Sequence, residues 1–188
     1  MDAFRKAPAA VQMHHAYAGG LCEHTLGVLR AAKALLPLYP RLNPDLVLVG
    51  SFLHDIAKLA ELHGGLGIHY SDRGQLVGHL VMACIWVEKK AAEVSEELGE
   101  PFPKKLINLL EHLVLSHHGL YEFGSPKIPA TPEAVMVHHL DNLDAKLNTY
   151  VHLIRKDRDE ASHWTNYNHL LGTKVFKEDV MGVRAVAD

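Results

Sequence analysis

The 188-residue chain is expected to fold as one all-α domain, and three observations predict this. Apolar residues recur at intervals of three and four along most of the chain. Proline and glycine fall between those stretches. Twice a small polar residue precedes proline and an acid, at Asn43-Pro44-Asp45 and Thr131-Pro132-Glu133, the pattern of a capped helix start.

Leu21, Thr25, Val28, Leu29, Ala32 and Leu35-Leu36 predict a helix over about 20–37, closed by Pro37 and Pro40. Asn43-Pro44-Asp45 opens a second helix reaching about Leu62, which Gly64-Gly65-Leu66-Gly67 ends. A third runs over about 74–98, and Pro101 and Pro103 separate it from a fourth over about 104–118. Residues 119–130, with Gly124-Ser125-Pro126 and Pro129, read as a loop before a long helix from Thr131 to about Arg158. Past His163 the pattern fades, and Thr173 to Phe176 reads as a short extended piece. No repeat, low-complexity tract or linker divides the chain. The domain is expected to span 1–188, with its core over about 8–160 and a tail over about 161–188.

An apolar share of 48% and a charged share of 22% are those of an ordinary globular protein. A formal charge of −3 leaves no electrostatic footprint for duplex nucleic acid or an anionic membrane. The two cysteines, Cys22 and Cys84, sit in helix-like runs without a C-x-x-C unit and read as reduced core thiols. Met1 to Lys6 carries no apolar leader, and no apolar run approaches the ~18 residues of a membrane span. A cytoplasmic location is expected.

The composition departs from the ordinary in its fifteen histidines. The pair His54-Asp55 lies in the apolar run Gly50 to Lys58, where two such side chains are costly to bury without partners. His24, His79, His117-His118 and Asp141 stand at intervals on other predicted helices, each also in apolar surroundings. Imidazoles and carboxylates carried into a core by separate helices converge most naturally on metal. Without thiolates they suit Mn, Fe, Co, Ni or Zn. About six ligands exceed one tetrahedral shell with an open position, so two ions are the better count, with Asp55 as the natural bridge. Such a pair keeps a net charge of about +2 after two aspartates, which favours an anionic phosphoester. Lys58, one turn beyond His54-Asp55 on a continuous helix, places a cation there for a phosphate oxygen or leaving group.

Either of His117 and His118 can be the ligand, since adjacent helical residues cannot point equally at one ion. His138 and His139 stay open, and His69 and Tyr70 are weaker candidates for the wall of the cleft. His14-His15, His63, His112, His152, His163 and His169 read as lying outside the site. Tyr121, Phe123 and Lys127 on the loop offer a base-stacking edge and a phosphate contact.

Together these residues resemble the H…HD…H…H…D signature of the HD superfamily of metal-dependent phosphohydrolases. Within it, the chain more closely resembles the catalytic domain of the YhaM-type bacterial 3′–5′ exoribonucleases. Gly19-Gly20-Leu21-Cys22-Glu23-His24-Thr25, Leu53-His54-Asp55-Ile56-Ala57-Lys58 and Gly74-Gln75-Leu76-Val77-Gly78-His79 carry the first half of the likeness. Leu115-Ser116-His117-His118-Gly119, Gly124-Ser125-Pro126 and His139-Leu140-Asp141-Asn142-Leu143-Asp144-Ala145-Lys146 carry the rest, over about residues 8–150. The resemblance implies a helical HD fold in which His24, His54, Asp55 and Asp141 hold one metal. Asp55, His79 and His117 or His118 hold the second, and Lys58 steadies the scissile phosphate. It implies a nucleotide or short single-stranded nucleic-acid substrate. Ile128 stands where the family commonly has a basic residue one place after Lys127. YhaM-type enzymes add an OB-fold-like N-terminal domain that grips single-stranded RNA. This chain starts almost at the HD domain, so an RNA-binding partner protein is a further expectation. Rival readings are a non-catalytic metal or nucleotide sensor and a di-iron oxygenase of HD fold.

Overall fold

The computed structural model describes residues 2–11, 15–64 and 67–180. His14 and the Gly65-Leu66 part of the glycine break lie outside them. No helix among the described residues is long and apolar enough to cross a membrane. The chain separates into two compact units, 1–145 and 146–188. Every candidate site residue belongs to the first.

The helices are α1 (Asp2–Lys6), α2 (Gly20–Leu35), α3 (Pro44–Leu53), α4 (Lys58–Glu61), α5 (Asp72–Leu76), α6 (Gly78–Leu98), α7 (Lys104–Ser116) and α8 (Pro132–Lys156). The expected helix starts hold. Asn43 Oδ1 accepts from the amides of Asp45 and Leu46, and Thr131 Oγ1 accepts from that of Ala134. Cys22 and Cys84 are free thiols inside α2 and α6.

Leu21, Thr25, Val28 and Ala32 form the buried stripe of α2. Val28, Ala32, Val47, Leu113, Val137 and Leu140 make one core from α2, α3, α7 and the start of α8. Ala57, Leu80, Met82, Ala83 and Val114 make a second, between the His54-Asp55 turn, α6 and α7.

Two expected helices are broken, both beside the candidate residues. The run from Pro44 to Leu62 stops at Leu53. There the amides of Ile56 and Lys58 bond three residues back, to Leu53 and Asp55, and α4 begins only afterwards. Such a tightened stretch within a helical run is a common device at functional sites. It leaves His54 and Asp55 on a turn rather than on a helical face. The run from Gly74 to Leu98 divides at Val77, because Gly78 takes a φ of 77° that side-chain-bearing residues rarely adopt. His79 therefore stands in the first turn of α6, where backbone N–H groups lack intrahelical partners.

A small antiparallel hairpin was not anticipated: β1 (Leu62–His63) pairs with β2 (His69–Tyr70), Leu62 opposite Tyr70. In the second unit the extended piece near Thr173 to Phe176 takes part in two isolated bridges, Trp164 to Phe176 and Asn168 to Thr173.

Candidate metal centre

Six side chains, His24, His54, Asp55, His79, His117 and Asp141, meet at the ends of α2, α3, α6, α7 and the middle of α8. His24 Nε2 lies 3.1 Å from His54 Nε2 and 3.1 Å from Asp141 Oδ1. Asp55 Oδ2 stands 3.6 Å from His24 Nε2 and 3.4 Å from His54 Nε2. The other carboxylate oxygen, Asp55 Oδ1, stands 3.4 Å from His79 Nε2 and 3.6 Å from His117 Nε2. Ligands about 2.1 Å from one ion at 90–110° sit roughly 3.0–3.4 Å apart; four of these six distances fall in that range, and the two at 3.6 Å lie just beyond it. Asp55 thus turns one oxygen to each half of the cluster.

The ring orientations decide the chemistry. His54 Nδ1–H donates to the Ser51 carbonyl and His117 Nδ1–H to that of Val114, each at 2.7 Å. His24 Nδ1–H donates to Asp144 Oδ2 at 2.7 Å, His79 Nδ1–H to Glu61 Oε1 at 2.9 Å, and His118 Nδ1–H to the Phe123 carbonyl at 2.9 Å. With Nδ1 committed outward, a neutral ring presents the Nε2 lone pair inward. His24 and His54 then face each other with two acceptors at 3.1 Å, a contact that needs a cation between or beside them.

Two further buried acceptors, Asp55 Oδ1 and His79 Nε2, have no hydrogen-bond partner. An unsatisfied buried polar atom costs about 1–3 kcal/mol. Both orphans are explained if divalent ions are their partners. Overlapping triads, His24-His54-Asp55, His54-His117-Asp141 and His79-His117-His118, have ligand atoms within 4.8 Å of one another. The residues fit a divalent metal.

Electrostatics agree with that reading. Burial opposes ionisation of Asp55, yet the Lys58 charge and the surrounding imidazoles hold its carboxyl well below the usual range. Burial likewise opposes the charge on Asp141, and the His24 hydrogen bond outweighs it and keeps the carboxyl low. His24 is desolvated, but hydrogen bonds to Asp141 and Asp144 and the Asp55 charge raise its pKa to about 9, so without metal a proton supplies the positive charge. Burial pushes His117 down to about 4, which keeps it neutral and able to ligate.

The HD domain pattern matches residues 21–146. The chain belongs to the HD domain family. It is 43% identical over 145 residues to the 3′–5′ exoribonuclease YhaM of Bacillus pumilus and 41% identical over 145 residues to that of Bacillus subtilis. Identity to the Geobacillus sp. YhaM is 45% over 141 residues. These alignments cover 77%, 77% and 75% of this chain but 44%, 44% and 42% of the relatives, so the chain spans less than half of their length. No solved structure gives a significant match.

Asp55 lines a cleft of about 370 Å³ together with Lys58, Glu61, His79, His117, His118, Asp141, Tyr70 and Phe123, among others. Lys58 Nζ is bound to Asp55 Oδ2 at 2.7 Å. Although burial disfavours its charge, the Asp55 carboxylate raises the Lys58 pKa and keeps it an ammonium. His117 and His118 fall just past the end of α7, so the helical-phase argument for choosing one does not apply, and both belong to the triad with His79. Tyr121 and Lys127 are not brought into the cleft. Tyr121 is 65% exposed on the turn Tyr121–Phe123. Lys127 is exposed near His112, whose pKa is lowered by burial first and by the Lys127 charge second.

Two residues behind the candidate ligands, Glu61 and Asp144, were not singled out from the sequence. Glu61 is buried, and its Oε1 accepts both from His79 Nδ1 and from the His79 backbone N–H at 2.8 Å, capping α6 and orienting the ring together. Asp144 takes hydrogen bonds from His24 and from buried His15, and its carboxyl, despite the cost of burial, is held down at about 2. Asp144 lies three residues beyond Asp141, on the same helical face, and that spacing was the available signal. Glu61→Gln is expected to weaken divalent-metal affinity roughly 10-fold, within the range for such supporting carboxylates. A competitive titration with a fluorescent chelator measures it.

His138 Nδ1–H donates to the His117 carbonyl at 2.7 Å, so this histidine braces the segment that carries His117 and His118. Gly119 makes room for that ring. Its φ is 81°, and a Cβ there would stand 2.1 Å from His138 Cε1. Gly119→Ala is expected to destabilise the fold by about 2 kcal/mol or more through left-handed strain and ring displacement. Urea unfolding of the variant beside wild type checks this.

Proposed function

We propose that the cleft is a two-metal phosphoesterase centre acting on a nucleotide or on the end of a short single-stranded nucleic acid. One observation carries the reading: five imidazoles direct Nε2 inward around two carboxylates after committing Nδ1 elsewhere. In this reading His24, His54, Asp55 and Asp141 hold one divalent ion. Asp55, His79, His117 and His118 hold the other. Bound together, two such ions lower the pKa of a water and stabilise attacking and leaving oxygens of a phosphoester.

The chain's own residues do the rest. Asp55 ties both halves of the centre, so its position fixes their spacing. Lys58, an ammonium held at the cleft wall by Asp55, is aimed at a non-bridging phosphate oxygen or the leaving oxygen, where it offsets developing negative charge. Asp144 and Glu61 hold His24 and His79 in the ligating tautomer. The relatives' names, 3′–5′ exoribonucleases, favour a 3′ end of RNA as the substrate. Nothing in the comparisons favours an oxygenase or a non-catalytic sensor.

The test is hydrolysis of bis-p-nitrophenyl phosphate and of short single-stranded oligonucleotides by protein loaded with Mn or Co. Turnover that a chelator stops and metal restores is the expected result. Absence of turnover on every phosphoester by fully loaded protein refutes the proposal.

A further inference from the structure

We infer that Tyr70 and Phe123 form an aromatic subsite that stacks an unpaired terminal nucleobase beside the metal centre. The inference rests on the phosphoesterase reading and names what surrounds the scissile phosphate. Both residues line the same cleft as Asp55, Lys58 and His79. Both residues are exposed, Tyr70 at 45% and Phe123 at 59%.

Their backbones, in contrast, are tied down. Tyr70 pairs with Leu62 in the hairpin, and the next residue, Ser71, donates its N–H to the Glu61 carbonyl at 2.8 Å and its hydroxyl to that of Ala60 at 2.7 Å. The Phe123 carbonyl accepts from His118 Nδ1 at 2.9 Å, and its N–H donates to Leu120. Ser125, buried two residues later, bonds the loop to the Leu115 carbonyl of α7 at 2.9 Å. The Gly124-Ser125-Pro126 motif therefore holds a ring in the cleft, and a metal-site histidine shares its hydrogen bond. Exposed rings on pinned backbone lose little freedom on binding, which is how a preorganised contact gains affinity.

The chemistry of the lining selects the ligand. A cationic centre with Lys58 takes an anionic phosphate. Flat apolar surface next to it takes a flat ring. A nucleotide joins those two parts covalently. Stacking on an aromatic face requires the base to be out of a duplex, and it tolerates any base because every base has a π-face.

The experiment compares metal-loaded protein on two oligonucleotides, one ending in a normal 3′ nucleotide and one in an abasic 3′ residue. Wild type is expected to favour the normal end in kcat/KM by roughly 5- to 150-fold, the value of about 1–3 kcal/mol per stacked base. In Tyr70→Ala combined with Phe123→Ala that ratio collapses toward one, while Tyr70→Phe with Phe123→Tyr preserves it. Equal rates on both ends by wild type, or a ratio unchanged in the alanine variant, overturn the subsite and leave the phosphoesterase standing. If neither substrate is cleaved, the phosphoesterase reading fails. The subsite is then decided by the fluorescence of a 3′-terminal 2-aminopurine: quenching by wild type and not by the alanine variant supports stacking, and no quenching refutes it.

Discussion

Asp55→Ala is expected to abolish phosphoester hydrolysis, with a fall of at least about 10³-fold, and to release bound metal. Each Asp55 oxygen faces a different half of the cluster, so both halves lose a ligand and the negative charge that holds them. Losing roughly 4 kcal/mol of transition-state stabilisation is enough for that factor. The substitution has a second effect. Lys58 Nζ loses its 2.7 Å partner, and stripping one member from a buried pair costs about 3–5 kcal/mol. Asp55→Asn keeps the shape and removes the charge. It should fold better than the alanine variant and remain as inactive. Rate assays with elemental analysis and thermal unfolding on both variants separate the catalytic loss from the structural one.

Lys58→Met is expected to lower kcat by about 10²-fold while metal content stays at the wild-type value. Methionine keeps the apolar stem and deletes the ammonium that faces the cleft. The size follows from removing one positioned charge from a site where negative charge develops. Stripping the pair lowers thermal stability in either case, and a purely structural Lys58 differs in leaving the kcat of the folded protein unchanged. Measuring kcat at saturating substrate and metal, together with unfolding temperature, distinguishes the two.

Much of this was legible in the chain because helix starts, helix breakers and buried histidines leave local marks. Asn43-Pro44 and Thr131-Pro132 mark helix starts in sequence and in structure, and α7 ends within two residues of its expected boundary. The breaks at Leu53 and Val77 were not legible. Residues 54–57 are helix-compatible and sit in an apolar run, and the chain unwinds there through tertiary demands that no local pattern records. Gly78 was visible as small, but only its positive φ shows that it turns the backbone. The ligand candidates converge because each is an isolated polar residue in an apolar run. Glu61 and Asp144 escaped notice because a carboxylate among other charged residues looks like a solvated surface. Their roles exist only once distant elements bring them against His79 and His24. Tyr121 and Lys127 show the converse. A loop's composition does not say which way its side chains point, and in this loop Phe123 is the ring that enters the cleft.

The most direct test is the divalent-metal content of the purified chain after reloading with Mn or Co and removal of excess ion, read by plasma emission spectrometry. About two ions per chain, lost together with hydrolytic activity in Asp55→Ala, is the predicted result. A correctly folded wild-type chain that retains no divalent ion, or that hydrolyses phosphoesters at full rate in excess chelator, contradicts the account.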